Sequence, residues 1–265
     1  MLALQRRALI LDVVRRDGAV RVAHLVEQLG VSDMTVRRDL EALARSGSLE
    51  KVHGGAVATS ATTTGEEPGF EAKANREPTA KAAMARVAAD LVKPGGVVAV
   101  SGGTTAFAVA AALRYIPDLT VVTNSLPVAD LLRGRAEEQD AGAPTVLLTG
   151  GSPTRSASLV GPLADQAIRS LRVDLLFVGA HGVSERAGVT SPNLAEAQTN
   201  RALIESAKQL AVVADHSKWG VVGLSRFADL SEIDYFVSDD ALDEHARAVL
   251  SREVGRLVLA DTASA

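Results

Sequence analysis

Seven short apolar runs between residues 97 and 259 constrain the fold of this chain more than any other feature of its sequence. They are rich in Val, Leu and Ile, and Ala- and Leu-rich segments with helical spacing separate many of them. Near-continuous apolar strands that alternate with helices indicate a parallel sheet covered on both faces. The predicted strands are 97–100, 119–123, 145–149, 174–178, 210–214, 233–237 and 256–259; the predicted helices are 79–92, 105–113, 126–133, 162–171, 195–208 and 241–251.

Small or polar residues follow five of these predicted strands. Parallel sheets bind ligands beyond the carboxyl ends of their strands, so the residues at those ends are candidate ligand contacts. After the first strand, two glycines and two threonines open a helix, whose free amides and dipole favour an anion. Any one of these segments alone could be an ordinary turn, but their recurrence at one edge predicts a pocket for a small polyhydroxylated anion. The candidate ligand-binding residues are Ser101, Gly102, Gly103, Thr104, Thr105, Thr123, Asn124, Ser125, Gly150, Gly151, His181 and Lys218.

The first 57 residues have a different pattern. Helical spacing extends over 4–16, over a short segment that ends at Gly30, and over 32–45. Two short helices joined by a turn that contains glycine form a helix-turn-helix unit. An alternating stretch at 48–53 and a Gly-Gly turn then predict a β-hairpin, or wing, next to the last helix.

The helix at 32–45 carries the candidate DNA contacts. Val36, Leu40 and Leu43 form its apolar stripe, so Arg37 and Arg38 fall on the opposite face. Arginine offers a planar fork that pairs with guanine or phosphate; a solvated surface face is the alternative interpretation of an arginine pair. Ser32 is expected to cap the helix.

A segment poor in apolar residues, 58–72, lies between these two regions and is rich in Thr, Ser, Gly and Glu. It is typical of a linker or surface loop. The predicted domains are therefore a DNA-binding domain at 1–57, a linker at 58–72 and an effector-binding domain at 73–265.

Charge and composition limit the partners, cofactors and cellular location that we expect. The net charge is -4, yet residues 1–57 hold nine Lys/Arg and seven Asp/Glu, which makes the head mildly basic. The chain has no cysteine, and its five histidines show no ligand spacing, so we expect no metal or cofactor. Charges interrupt the early apolar runs and no run approaches the length of a membrane span, so we expect a cytoplasmic protein with no membrane partner.

Both regions resemble the DeoR family of bacterial transcription regulators. The resemblance rests on segments that cover most of the chain. In the head they are Arg6, Ile10, Val14, Ser32, residues 35–40 (TVRRDL), Gly47, Leu49, Lys51 and residues 53–56 (HGGA); in the body they are residues 103–105 (GTT), 119–125 (LTVVTNS), 150–151 (GG), 161–164 (GPLA), 173–174 (VD), 193–196 (NLAE) and 215–218 (DHSK).

The resemblance implies a winged helix-turn-helix joined to an α/β sensor with a fold like that of ribose-phosphate isomerases. It implies DNA contacts from Ser32, Thr35, Arg37 and Arg38, with Lys51 and His53 near the DNA backbone. Gly103, Thr104 and Thr105 would hold the phosphate of a sugar phosphate, and Thr123, Asn124 and Ser125 would line the pocket. Lys218 would supply positive charge.

Two departures from the family pattern each remove a carboxylate from a position expected to face the sugar. Ser101-Gly102 stands where Asp-Ser is common, and His181 stands where aspartate is common.

Together, the residue patterns and the resemblance favour a repressor of carbohydrate-metabolism genes that binds a double-stranded DNA operator as a homodimer or higher homo-oligomer. A sugar phosphate would relieve repression. The alternative is a sugar-phosphate isomerase-like enzyme with an accessory DNA module, because His181 could act as a general base.

Overall fold

The computed structural model describes residues 6–7, 9–11, 13–14, 19–45, 49–52, 54–57, 69–137 and 143–264. The chain forms two compact units, 1–63 and 64–265. Most of the predicted linker lies outside the described residues, and the domain boundaries stay a prediction.

The N-terminal unit is a helix-turn-helix with a three-stranded antiparallel sheet. Described residues between 6 and 14 are helical. They are followed by β1 (Ala19–Arg21), α1 (Val22–Leu29), α2 (Asp33–Arg45), β2 (Glu50–Val52) and β3 (Gly55–Val57). The predicted wing is confirmed as β2 and β3, and β1 pairs with the outer side of β3. All three strands have only three residues, but β1 lacks the Gly-Gly turn that marked the hairpin of β2 and β3, so the sequence analysis missed it.

The turn between α1 and α2 has the predicted chemistry. Gly30 ends α1 in the left-handed region, with φ of 64°, which glycine adopts without steric cost. Ser32 caps α2, since its Oγ accepts the amide of Thr35 at 3.3 Å. Val36, Leu40 and Leu43 are buried as predicted and pack with Ile10 and Leu25 in the core of this unit.

The C-terminal unit contains a seven-stranded sheet in the order β15-β14-β12-β9-β4-β5-β6, and every pairing in it is parallel. Its helices are α3 (Phe70–Ala74), α4 (Pro78–Ala89), α5 (Thr104–Leu113), α6 (Leu126–Glu137), α7 (Pro162–Arg169), α8 (Leu194–Ser206) and α9 (Glu244–Glu253). Its strands are β4 (Val97–Val100), β5 (Thr120–Thr123), β6 (Thr145–Leu148), β7 (Ser152–Pro153), β8 (Leu159–Val160), β9 (Val173–Gly179), β10 (Gly182–Ser184), β11 (Gly188–Ser191), β12 (Ala207–Val213), β13 (Ser225–Ala228), β14 (Tyr235–Asp239) and β15 (Arg256–Ala260).

The seven predicted strands are the seven strands of this sheet, with ends shifted by up to three residues. The predicted α/β class is therefore confirmed. Two small sheets were missed: one pairs β7 with β8, and the other has the order β10-β11-β13. Their strands have only two to four residues, and all of them except β8 carry Ser, Thr or Gly, so they lack the continuous apolar signal of the main sheet.

Both faces of the main sheet are covered. Along β9, Leu176 and Val178 pack on one side with Ile168 of α7 and Leu203 of α8. Leu175 and Phe177 point to the other side and share a cluster with residues of α4, α5 and α6. This alternation follows from the two-residue period of a strand, and it explains the near-continuous apolar runs. In the described part of the chain, no helix is both long and apolar enough to span a membrane.

Candidate DNA-binding and effector-binding sites

The exposed face of α2 carries the predicted DNA-contacting residues. Arg37 and Arg38 are both exposed, and Met34 at the start of the helix is 69% exposed. The hydroxyls of Ser32 and Thr35 lie 2.9 Å apart at the first turn. This face therefore presents two cations and two hydroxyls next to the helix N-terminus, which are groups that bind phosphate and base edges.

Asp39, on the buried side of α2, holds this helix to two arginines of the first helix. It is 2% exposed, and its carboxylate accepts from Arg6 Nε at 2.5 Å and from Arg7 Nε at 2.9 Å. Burial alone would raise the pKa of Asp39, but the hydrogen bonds and charges of the two arginines outweigh burial and hold the pKa below its ordinary value. Asp39 thus ties α2 to the first helix of the unit.

The wing reaches the same helix through Lys51. Its Nζ donates to Glu41 Oε1 of α2 at 3.3 Å, and Lys51 remains 40% exposed. Lys51 is therefore positioned beside α2, as a phosphate contact requires. The other wing residue predicted to lie near DNA, His53, falls outside the described residues.

In the sensor unit, the predicted effector residues gather around the switch point of the main sheet. From β4 the chain adds β5 and β6 on one side, then returns to build β9, β12, β14 and β15 on the other. Neighbouring strands whose connections run in opposite directions leave a crevice at their carboxyl ends, and ligands of open α/β sheets bind there. The switch point of this sheet lies between β4 and β9, so this rule predicts a ligand at their carboxyl ends.

The end of β4 leads directly into helix α5. Thr104 and Thr105 occupy the first turn of α5 and are almost buried. Their hydroxyls and the amides of Gly103 and Thr104 have no hydrogen-bond partner among the described residues. A helix N-terminus with free amides and free hydroxyls is suited to an anion.

Gly102 must be glycine for a steric reason. A Cβ at this position would lie 1.8 Å from Ser158 Oγ and 2.8 Å from Ser158 Cβ. Its amide donates to Asn124 Oδ1 at 3.1 Å. Ser101 is also buried, and its Oγ accepts the amide of Gly179 at 3.3 Å, which joins the ends of β4 and β9.

Thr123, Asn124 and Ser125 lie at the next strand end, with side chains that are buried and already hydrogen-bonded within the protein. Asn124 Nδ2 donates to the carbonyl of Leu159 at 3.0 Å, while Thr123 Oγ1 donates to the carbonyl of Val100 at 2.7 Å. Ser125 Oγ accepts the amide of Val128. The geometry gives these three residues a supporting position beneath the β4–α5 turn.

Gly150, Gly151 and His181 lie at the carboxyl ends of β6 and β9. Gly150 and Gly151 have φ angles of 74° and 118°, and a Cβ on Gly151 would come within 2.7 Å of the Val160 carbonyl. His181 is half-buried at the start of the β10–β11 hairpin, where its amide donates to the Thr190 carbonyl at 3.2 Å. All three therefore lie at the carboxyl edge of the sheet, with β6 two strands away from β4.

Lys218 lies in a 3-10 turn after β12, and its side chain is 23% exposed. Its Nζ is 4.0 Å from Oδ2 of Asp215. Asp215 is buried, and its other oxygen, Oδ1, accepts the amide of Ser217 at 3.1 Å. The carboxylate thus shapes the turn that carries the lysine.

A second lysine, Lys81, lies in the same region and was missed by the sequence analysis. It is 6% exposed in the first turns of α4, and its Nζ donates to the carbonyl of Lys73 at 2.7 Å. Burial lowers the pKa of Lys81; the negative charge of Asp215 opposes this and the positive charge of Lys218 adds to it. Because α4 packs beside α5 and precedes β4, its N-terminus lies at the same sheet edge as Thr104.

Comparison with known proteins assigns both units. Residues 6–62 match the model of the DeoR-like helix-turn-helix domain, and residues 76–240 match that of the DeoR C-terminal sensor domain. The chain belongs to the DeoR family. The resemblance found in the sequence is thereby confirmed.

Relatives of this DeoR-family chain are named as regulators. The HTH-type transcriptional regulator YgbI of Escherichia coli, itself described as uncharacterized, is 36% identical over 97% of this chain and 98% of its own length. The lactose phosphotransferase system repressor of Staphylococcus epidermidis is 32% identical over 87% of this chain and 90% of its own length. Both alignments extend over the head and the sensor.

Among solved structures, ribose 5-phosphate isomerase A of Methanocaldococcus jannaschii is similar to 55% of this DeoR-family chain and to 55% of its own length, with 18% identity and a TM-score of 0.39. Likeness at this level is too distant to carry an assignment of ligand or chemistry.

Proposed function

We propose that this DeoR-family protein is a sequence-specific repressor of carbohydrate-metabolism genes. The head binds a double-stranded DNA operator, and a phosphorylated sugar that binds the sensor lowers operator affinity. The observation that carries the effector proposal is that the free N-terminus of α5 lies at the same edge of the sheet as Lys218 and Lys81, two lysines close enough to interact electrostatically. The name of the lactose-system repressor among its relatives supports a carbohydrate role.

The phosphate would be bound by the amides and hydroxyls of Thr104 and Thr105. Lys218 and Lys81 would neutralise its charge, while Asn124 and Gly102 would hold the turn in shape. The sugar hydroxyls would extend toward His181 and the Gly150-Gly151 turn. We propose no catalytic role for the pocket, in line with relatives that are named as transcriptional regulators.

In the head, Ser32, Thr35, Arg37, Arg38 and Lys51 would contact DNA. We propose His53 as a further backbone contact, and residues 58–72 as the boundary between the two domains. A homodimer or higher homo-oligomer would place two recognition helices on a symmetric operator, since protein symmetry and operator symmetry match in helix-turn-helix regulators.

The DNA-binding part of the proposal is tested by fluorescence anisotropy with an operator selected from a random library. Replacing both Arg37 and Arg38 with alanine is expected to weaken binding by roughly 1–3 kcal/mol for each arginine that pairs with a base. Arg172→Ala, which removes an exposed arginine from the sensor unit, is the matched control. Unchanged binding by a folded double variant would refute the assignment of α2.

A further inference from the structure

Arg37 and Asp33 form a bidentate ion pair within the first turns of α2. Arg37 Nε donates to Asp33 Oδ1 at 2.5 Å, and Nη2 donates to Oδ2 at 3.3 Å. The two residues are one helical turn apart, so their side chains lie on the same face. This face carries the proposed DNA contacts.

The pair leaves one particular edge of the guanidinium available. Arginine has five N–H donors in a fixed planar fork, and Asp33 takes the side edge that Nε and Nη2 share. The end edge, formed by Nη1 and the second hydrogen of Nη2, has no partner in the described part of the chain. Two parallel donors on that edge match the O6 and N7 acceptors that guanine presents in the major groove.

Arg38 provides a contrast within the same helix. It is exposed, and no hydrogen bond or ion pair involving it is found among the described residues. Its side chain therefore lacks the constraint that Asp33 places on Arg37. A mobile cation suits a phosphate contact, whereas a base contact requires a fixed plane.

We infer that Asp33 is a positioning residue for base specificity, which orients Arg37 so that its end edge reads one guanine in each operator half-site. This inference rests on the proposed DNA-binding function of α2. It assigns different roles to the adjacent arginines: Arg37 specifies a base, and Arg38 anchors the helix to the backbone.

A purely structural role for the ion pair makes a different prediction. Exposed pairs at this spacing contribute little to stability, and both residues are about half exposed. Loss of Asp33 should therefore leave the fold intact under either view. Only the positioning role predicts a change in which base is selected.

The experiment is binding-site selection from a random DNA library by the full chain, with deep sequencing of the bound DNA. Wild type, Asp33→Ala, Asp33→Asn, Arg37→Ala and Arg38→Ala are compared, after melting curves confirm that each is folded. Glu41→Ala is the control for base preference: it removes another acidic residue from the exposed face of α2, but Glu41 pairs with Lys51 and not with Arg37, so its loss bears on overall affinity and not on which base is selected.

Arg37→Ala is expected to lower the preference for one guanine by about fivefold or more, as loss of a bidentate contact does. Asp33→Ala should weaken the preference at that same base pair, and Asp33→Asn should do so to a smaller degree because one acceptor oxygen remains. Arg38→Ala should lower affinity evenly across sequences and reduce the salt dependence of binding by about one unit of slope. Glu41→Ala should retain the wild-type preference for guanine at that base pair.

The inference is overturned if Asp33→Ala retains the full wild-type preference at the base pair that Arg37→Ala relaxes, or if that base pair is not a guanine. Failure of the underlying function looks different. In that case the wild-type protein selects no sequence, or Arg37→Ala relaxes no position, whatever Asp33 does.

Discussion

Nζ of Lys218 lies 4.0 Å from Oδ2 of Asp215, a buried carboxylate oxygen that has no hydrogen-bond partner among the described residues. The charge of Asp215 also acts on Lys81. One carboxylate therefore serves as the counter-ion of two lysines at the proposed phosphate site. A phosphate that enters the site would take over this role.

Replacing Asp215 with asparagine is expected to tighten sugar-phosphate binding. The amide keeps an oxygen that can accept the Ser217 amide, but it removes the charge that competes with phosphate for the lysines. The free variant should be less stable than wild type, and its affinity for the phosphorylated sugar should rise by at least about 1 kcal/mol, or fivefold. Isothermal titration calorimetry measures this directly. Weaker binding would show that Asp215 holds Lys218 in place for the ligand.

Loss of either the hydroxyl at the α5 N-terminus or the lysine of the phosphate site should abolish the stabilisation of the protein by its effector. A ligand at 100 times its dissociation constant adds about 2.7 kcal/mol to the free energy of unfolding, which a thermal-shift assay detects. Thr104→Ala and Lys218→Ala are expected to lose this response. Lys208→Ala is the matched control, since Lys208 pairs with Asp174 near the opposite end of β12. A response of Lys218→Ala equal to wild type, or equal stabilisation by the unphosphorylated sugar, would exclude the phosphate site.

The close contact between Gly102 and Ser158 can be tested by paired substitutions. Gly102→Ala should destabilise the sensor by about 1–3 kcal/mol, because the new Cβ overlaps Ser158. Adding Ser158→Gly removes both overlapping atoms and should recover much of that loss. Chemical denaturation of the two single variants and the double variant completes the cycle. Strictly additive losses would mean that the clash is not the cause.

Asp39 should make the stability of the head depend on pH in a defined direction. Its pKa in the folded head lies below the ordinary value, because hydrogen bonds from Arg6 and Arg7 outweigh the effect of burial. The resulting stability is fully present above the unfolded-state pKa of about 3.9, and it is lost as the pH falls through the lower folded-state pKa.

Asp39→Asn is accordingly expected to cost about 1.5–3 kcal/mol at pH 7, as loss of charged hydrogen bonds does. The difference from wild type should narrow at acidic pH, where wild-type Asp39 is itself protonated. Hydrogen exchange of the α2 amides, measured by mass spectrometry in the full chain, reports the stability of the head. A difference that stays constant from pH 7 to strong acid would contradict the assignment.

The sheet was predictable because its strands are apolar on both faces, so β4 and β9 stand out as continuous runs of Val, Leu and Phe. The short strands β10, β11 and β13 gave no comparable signal. Their pairing depends on hydrogen bonds between distant segments, such as Gly223 donating to Thr190 Oγ1 at 2.8 Å.

The candidate site was predictable to the extent that it follows the strand ends. Lys81 was not predicted as a site residue because a lysine in a helix is ordinarily exposed. Its spacing of three, four and seven residues from Met84, Ala85 and Ala88, all buried, was the available signal. The pairing of Asp39 with Arg6 joins residues 33 positions apart, which no local pattern specifies.

The central claim is that a phosphorylated sugar controls operator binding through the sensor. A ligand changes DNA affinity only if it binds the free and DNA-bound protein with different strength. The most direct measurement is anisotropy of a labelled, selected operator with the full chain, titrated with a panel of sugar phosphates and the matching free sugars. We expect that one phosphorylated sugar lowers operator affinity, that its free sugar does not, and that Lys218→Ala binds the operator normally but no longer responds. Operator affinity that no phosphorylated sugar changes, or that changes equally in Lys218→Ala, would contradict control by a sugar phosphate at this site.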